Sequence, residues 1–212
     1  MSSDVISLNP ILIKKDIKAN CTQSVYLETK NIKLICSIKG PQYITNANIE
    51  DYKMNINVKI KIPEYFKEKT NENIEFIENQ IKSILNGHLL LLKYQRTKLD
   101  ITFEIFEFNN DFLPYALMAI SLCCNYANIE QKGLLTSCAI LVNNKGEIIP
   151  EPLLNEENDK NSIKFILGYN IYLKENVLFI QRGKCNEDIL KRVLALSIKI
   201  CEIYQDFLIK QL

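Results

Sequence analysis

Between residues 111 and 126 the chain leaves no polar stripe on a helix: Leu117, Ala119, Ile120, Leu122, Cys123 and Cys124 are apolar on nearly every side. A helix that is hydrophobic all round cannot lie on a surface and has to be buried. The segment therefore predicts a central helix, with the rest of the 212 residues long enough to bury a proper core around it. Asn109-Asn110-Asp111 ahead of it is a turn whose side chains suit a helix cap.

The flanking segments have the period of strands. Met54, Ile56, Val58, Ile60 and Ile62 alternate with polar residues until Pro63, and Leu99, Ile101, Phe103 and Ile105 do the same within residues 98–108. Upstream, residues 24–29 and 32–39 predict a hairpin turning at Lys30-Asn31, where Asn31 tolerates a left-handed conformation, and stopped by Gly40-Pro41. Ile11 to Ile13 suggest a short edge strand within an N-terminal arm of residues 1–18. Downstream, residues 136–142 and 147–149 straddle a turn at Asn143 to Gly146, and strands over 163–173 and 176–182 turn at Glu175-Asn176.

Two further helices are amphipathic. One starts near Asn71 to Asn73 and carries Ile74, Ile77, Ile81, Ile84, Leu85 and His88 on one face. The other, capped by Asn186, carries Ile189, Val193, Leu196, Ile200, Tyr204 and Phe207 as a continuous stripe. Such stripes are core, and His88 reads as a packed histidine, not a general base. The order of elements predicts an α+β fold in a single domain over residues 1–212, not a doubly wound parallel sheet.

Charge and cysteine usage exclude several functions. With 26 basic and 25 acidic residues, the chain lacks the strongly basic footprint of a protein that grips nucleic acid unaided. A local basic patch stays open. Seven cysteines, none in CxxC spacing, and a single histidine assemble no zinc motif. The cysteines read as reduced core residues, and no cofactor or metal is expected. No apolar run reaches membrane-spanning length and the N-terminus has no signal-peptide pattern, so a soluble intracellular protein is expected.

Three segments, in order, resemble the RNase PH family, particularly its eukaryotic exosome members. Ser24-Val25-Tyr26-Leu27-Glu28 followed by Lys30-Asn31-Ile32-Lys33-Leu34-Ile35-Cys36 and Gly40-Pro41 is similar to the family's opening hairpin. Tyr94-Gln95-Arg96-Thr97, Leu99-Asp100-Ile101, Asn109-Asn110-Asp111 and Ala116 to Ala119, ending in Tyr126-Ala127-Asn128-Ile129, resemble its central region. Ile148-Ile149-Pro150-Glu151-Pro152 with Glu156-Glu157 resembles its late acidic segment. The resemblance implies mixed and antiparallel sheets packed with a buried central helix and a long C-terminal helix.

It also implies a disabled site. Active members bind phosphate at a Gly-Thr-Arg step before the buried helix, and the matching residues here are Asp111-Phe112-Leu113. Leucine replaces the bidentate donor, and an acidic group there repels phosphate. Glu151 and Glu157 keep the spacing of the family's paired aspartates, either as a vestigial acidic turn or as surviving metal ligands in a working phosphorolytic exoribonuclease. The resemblance places Lys67, Lys69 and Arg96 at positions of RNA contact, with a solvated lysine loop as the alternative reading, and Lys14, Lys15 and Lys18 serve likewise or form a polar arm. The implied protein is a non-catalytic ring subunit of the RNA exosome, closer to the mRNA-transport-regulator type than to its companion. Its implied partners are other RNase PH-like subunits, cap RNA-binding subunits and RNA, in nucleus, nucleolus and cytoplasm. The remaining alternative is an unrelated α+β binding protein.

Overall fold

The computed structural model describes residues 8–44, 52–64, 74–108, 111–153 and 162–212. The chain runs β1 (Leu12–Lys15), β2 (Gln23–Glu28), β3 (Ile32–Tyr43), β4 (Asn55–Lys61), α1 (Ile74–His88), a 3₁₀ turn (Leu91–Lys93) and β5 (Thr97–Phe108). It continues through α2 (Leu113–Tyr126), β6 (Leu135–Val142), β7 (Ile148–Pro150), β8 (Ile163–Asn170), β9 (Glu175–Arg182) and α3 (Glu187–Ile209). One sheet has the order β1-β2-β3-β5-β4 and the other β7-β6-β8-β9. All pairings are antiparallel except β4 with β5.

The all-apolar segment is α2, buried from Leu113 through Cys124. It packs against β2 and β3 of the first sheet and β6 of the second, while α3 packs on β6 and β8 and α1 on β4. Every residue of β6 is buried, because its sheet is covered on both faces. Truncating a fully buried residue such as Leu117 to alanine costs about 2–5 kcal/mol in such a core. The second sheet's β6–β7 turn forms as its sequence predicts, with the Asn143 side chain accepting from Lys145 N and Glu147 N. Asn186 caps α3 by accepting from Ile189 N at 2.9 Å. Among the described residues no helix is long and apolar enough to cross a membrane.

Four local expectations are corrected. Gly40-Pro41 does not stop the second strand: β3 runs on to Tyr43 through a bulge between Lys39 and Gln42. Gly40 has φ +123 there and a Cβ would lie 2.5 Å from Lys98 O, so only glycine fits. The β2–β3 turn is closed by Thr29, whose hydroxyl accepts from Asn31 N and Ile32 N, and not by a left-handed Asn31. The β8–β9 turn occupies residues 171–174, with Lys174 at φ +55, and Glu175 already belongs to β9. Asn170 draws the turn in by accepting from Leu173 N at 3.2 Å. Finally, no asparagine or aspartate caps α2: its cap is Phe112, which makes no side-chain cap bond. The expected cap at Asn71 to Asn73 lies outside the described residues.

Candidate functional site

The first turn of α2 carries the candidate anion step. Leu113 and Phe112 are buried apolar side chains that offer no donor, and Pro114 in the first turn brings no N–H. Asp111 is turned inward and forms an ion pair with Lys164 of β8, the two side chains 4% and 7% exposed. The acidic residue thus meets an internal lysine, and the pair is sequestered from water. Neither charge can be removed alone without leaving the other buried and uncompensated. Lys164 was not singled out from the sequence, although a lysine between Ile163 and the apolar run Phe165-Ile166-Leu167 is a signal for a buried pair.

Glu151 follows β7 directly and has φ +52. Its backbone N–H donates to Ala139 O at 3.0 Å, which turns its side chain into the interior at 9% exposure. There the Tyr115 hydroxyl donates to Oε1 at 2.8 Å, and the Tyr204 hydroxyl donates to the same oxygen. Asn9 donates to Oε2 from its backbone N at 2.9 Å and from Nδ2 at 2.8 Å. One carboxylate therefore ties together the N-terminal arm, α2, β7 and α3. Both of its oxygens are taken by donors, which is the environment of a structural carboxylate and does not suit a metal ligand. Burial, with Tyr115 and Glu151 nearby, pushes the Tyr204 hydroxyl far above its ordinary value, so it stays a donor. Tyr115, Tyr204 and Asn9 carry no sequence signal for this junction, because each sits on a stripe or arm explained by packing alone. Glu157 lies outside the described residues.

The basic candidates divide. Lys67 and Lys69 lie outside the described residues. Arg96 is exposed at φ +55 between the 3₁₀ turn and β5, and its carbonyl accepts from Ile44 N at 3.0 Å. Lys18 is 2.5 Å from Glu104, and Lys15 lies 5.4 Å from the ring centre of Tyr126, so both are engaged within the chain. His88 is buried with Nε2 donating to Gly133 O at 2.8 Å, and burial lowers its pKa from the ordinary 6.5. Five cysteines are buried: Cys36, Cys123, Cys124, Cys138 and Cys201. Burial raises the thiols of Cys36 and Cys124, and the hydrogen bond with Cys201, together with burial, raises that of Cys138, which suits core residues and not nucleophiles. Among the described residues no group of three or more His, Cys, Asp or Glu is placed to hold a metal ion.

Comparison with known proteins converges on one family. Residues 7–130, more than half of the chain, match the 3′ exoribonuclease family, domain 1, known as RNase PH. The exosome complex component Rrp41 of Pyrococcus horikoshii is 24% identical over 181 residues, covering 82% of this chain and 71% of the relative. Rrp41 of Archaeoglobus fulgidus is 22% identical over 208 residues, covering 93% and 80%. Among solved structures, rice (Oryza sativa) Rrp46 superposes with a TM-score of 0.79 at 19% identity, over 95% of this chain and 94% of Rrp46. A chain of the Archaeoglobus fulgidus exosome with RNA bound to the active site gives 0.72 at 12% identity, over 93% and 87%.

Proposed function

Because the chain belongs to the RNase PH family of 3′ exoribonucleases, we propose that it is a ring subunit of an RNA exosome whose own phosphorolytic site is disabled. It serves as a scaffold between neighbouring RNase PH-like subunits and contacts RNA without cleaving it. The observation that carries this reading is the first turn of α2. Where the family's resemblance calls for a cationic donor to phosphate, this chain has buried Leu113 beside an Asp111–Lys164 pair already neutralised from within. Phosphorolysis needs preorganised positive donors around a dianion, and this turn supplies none that is free of a carboxylate. The Glu151 carboxylate, saturated by Tyr115, Tyr204 and Asn9, supports the same conclusion.

The exosome assignment is supported by the Rrp41 relatives and by the likeness to Rrp46 along nearly the whole chain. Two measurements test the proposal. Affinity purification from the native organism should bring down other RNase PH-like chains, and their absence would refute the ring assignment. The purified chain, given magnesium, inorganic phosphate and a single-stranded RNA, should release no nucleoside diphosphates. Phosphate-dependent release by the pure chain would refute the loss of activity.

A further inference from the structure

Two thiols face each other across the contact between β6 and α3. The Cys201 thiol donates to Cys138 Sγ at 3.9 Å, and the Cys138 thiol donates to Ser197 O at 3.6 Å. Ser197 lies one helical turn before Cys201, so the Cys138 sulfur is seated on a single turn of α3. Both residues are buried and both thiols are free. A disulfide holds its sulfurs about 2 Å apart, so closing this gap asks each sulfur to move by roughly 1 Å, within the reach of side-chain rotation.

The two sides of the contact differ in how readily they open. β6 lies inside its sheet, between β7 and β8, and every residue of it is buried. α3 is an outer layer, with Ala195, Lys199, Glu202 and Ile203 exposed. A helix with a solvated face can lift off as a unit at a lower cost than opening the strand beneath it. With Cys138 at 2% and Cys201 at 0% exposure, an oxidant reaches the pair only in that opened state. The hydrogen bond with Cys201, together with burial, also keeps the Cys138 thiol protonated while α3 is docked. Cys36 and Cys123 provide a contrast. Cys123 donates to Cys36 O at 3.6 Å, but α2 is buried from Leu113 through Cys124 and has no solvated face along which to lift away.

We propose that Cys138 and Cys201 are an oxidisable pair, which a peroxide converts to a disulfide that locks α3 onto the second sheet. With α3 lifted, the thiolate of one cysteine attacks a peroxide oxygen, the O–O bond breaks, and the products are a sulfenic acid and water. On re-docking, the second sulfur attacks the sulfenic sulfur. The S–S bond forms, the S–O bond breaks, and the hydroxide leaves with the second thiol's proton as water. Two thiols and one peroxide thus give one disulfide and two waters. The cross-link joins residues 63 apart in the chain and removes that loop's freedom from the unfolded state. It also fixes α3 one turn before Tyr204, whose hydroxyl donates to Glu151, so the lock reaches the junction that ties the N-terminal arm to α2 and β7. In a reducing compartment such a bond is transient, and a dithiol returns it to two thiols.

The lock needs no neighbouring subunit, so the full chain alone tests it. The chain is treated with hydrogen peroxide, its remaining thiols are capped with N-ethylmaleimide in denaturant, and the digest is read by mass spectrometry with and without dithiothreitol. A dithiothreitol-sensitive peptide linking Cys138 to Cys201 is expected, with Cys36 and Cys123 capped. Urea below the unfolding transition should speed its formation, because it populates the opened helix. The oxidised chain should melt roughly 5–15 °C above the reduced one, and dithiothreitol should abolish the difference. Cys138→Ala and Cys201→Ala should each show no reducible rise, each being compared with its own reduced form. The wild-type digest decides the matter even where a variant does not fold. A wild-type chain in which peroxide modifies Cys21 and Cys185 and leaves Cys138 and Cys201 free to cap would overturn the proposal. So would a Cys36–Cys123 cross-link formed as fast as the expected one, or a cross-linking rate indifferent to urea. A melting temperature that oxidation leaves unchanged, or raises equally in Cys201→Ala, would do the same.

Discussion

Glu151→Gln separates a structural carboxylate from a metal ligand by the sign of its effect on stability. The wild-type side chain, nearly buried, accepts from the Tyr115 and Tyr204 hydroxyls on Oε1 and from two donors of Asn9 on Oε2. Glutamine can keep one acceptor oxygen towards the tyrosines, but its amide NH₂ then faces two Asn9 donors. Hydrogen bonds to a charged group contribute about 1.5–3 kcal/mol each, and an abandoned buried donor costs about 1–3 kcal/mol. Two bonds are lost and two weakened, partly offset because a neutral amide is easier to bury, which leaves a net loss of about 2–4 kcal/mol. For a chain of this length each kcal/mol lowers the melting temperature by about 2–4 °C, so thermal unfolding should shift down by roughly 5–15 °C. Magnesium should leave the melting temperature of both proteins unchanged. A carboxylate kept for a metal would behave in the opposite way: without the ion, its neutralisation would stabilise the protein. An unchanged or raised melting temperature for Glu151→Gln, or a magnesium-dependent rise in the wild type that the variant loses, would refute the structural reading.

Three other outcomes are expected. His88 is the only histidine and its folded pKa lies below 6.5, so the unfolded chain binds a proton more readily. Stability should therefore be complete above about pH 6.5 and fall as pH drops below it, and His88→Gln should flatten that slope in urea unfolding between about pH 7 and 5. Lys164→Met should cost about 3–5 kcal/mol by stranding Asp111, and Asp111→Asn in the same chain should recover part of it, as a double-mutant cycle of denaturant midpoints would read. Reversing the charges of Lys67, Lys69 and Arg96 together should weaken RNA binding by the assembled ring and make its salt dependence shallower, with gel filtration showing the assembly intact.

Much of the architecture was legible because it depends on local periodicity. A segment with no polar face, such as residues 111–126, has only a buried helix open to it, and α2 is that helix. The alternations at Met54 to Ile62 and at Leu99 to Ile105 specify half-buried strands, because a strand turns successive side chains to opposite faces. Asn143 and Asn186 act through backbone groups two to four residues away, so their roles were readable from position. The arrangement of chemistry was legible only by elimination. The sequence shows that Leu113 and Phe112 lack donors, but not what answers the Asp111 charge.

That answer depends on contacts between residues far apart in the chain. Lys164 reaches Asp111 only because β8 pairs with β6 and α2 packs beneath them. Glu151 meets Tyr115, Tyr204 and Asn9 across separations of 36, 53 and 142 residues, and no local pattern encodes such a meeting. Gly40-Pro41, a stop signal by its neighbours alone, becomes a bulge because β5 already holds the next register and Lys98 O leaves room for glycine only. Periodicity and capping act within one helical turn or strand repeat, so the sequence by itself determined the elements and the faces they bury. Ion pairing and carboxylate saturation act at contact distance whatever the chain separation. For that reason only the tertiary structure decided that Asp111 and Glu151 are internal ties.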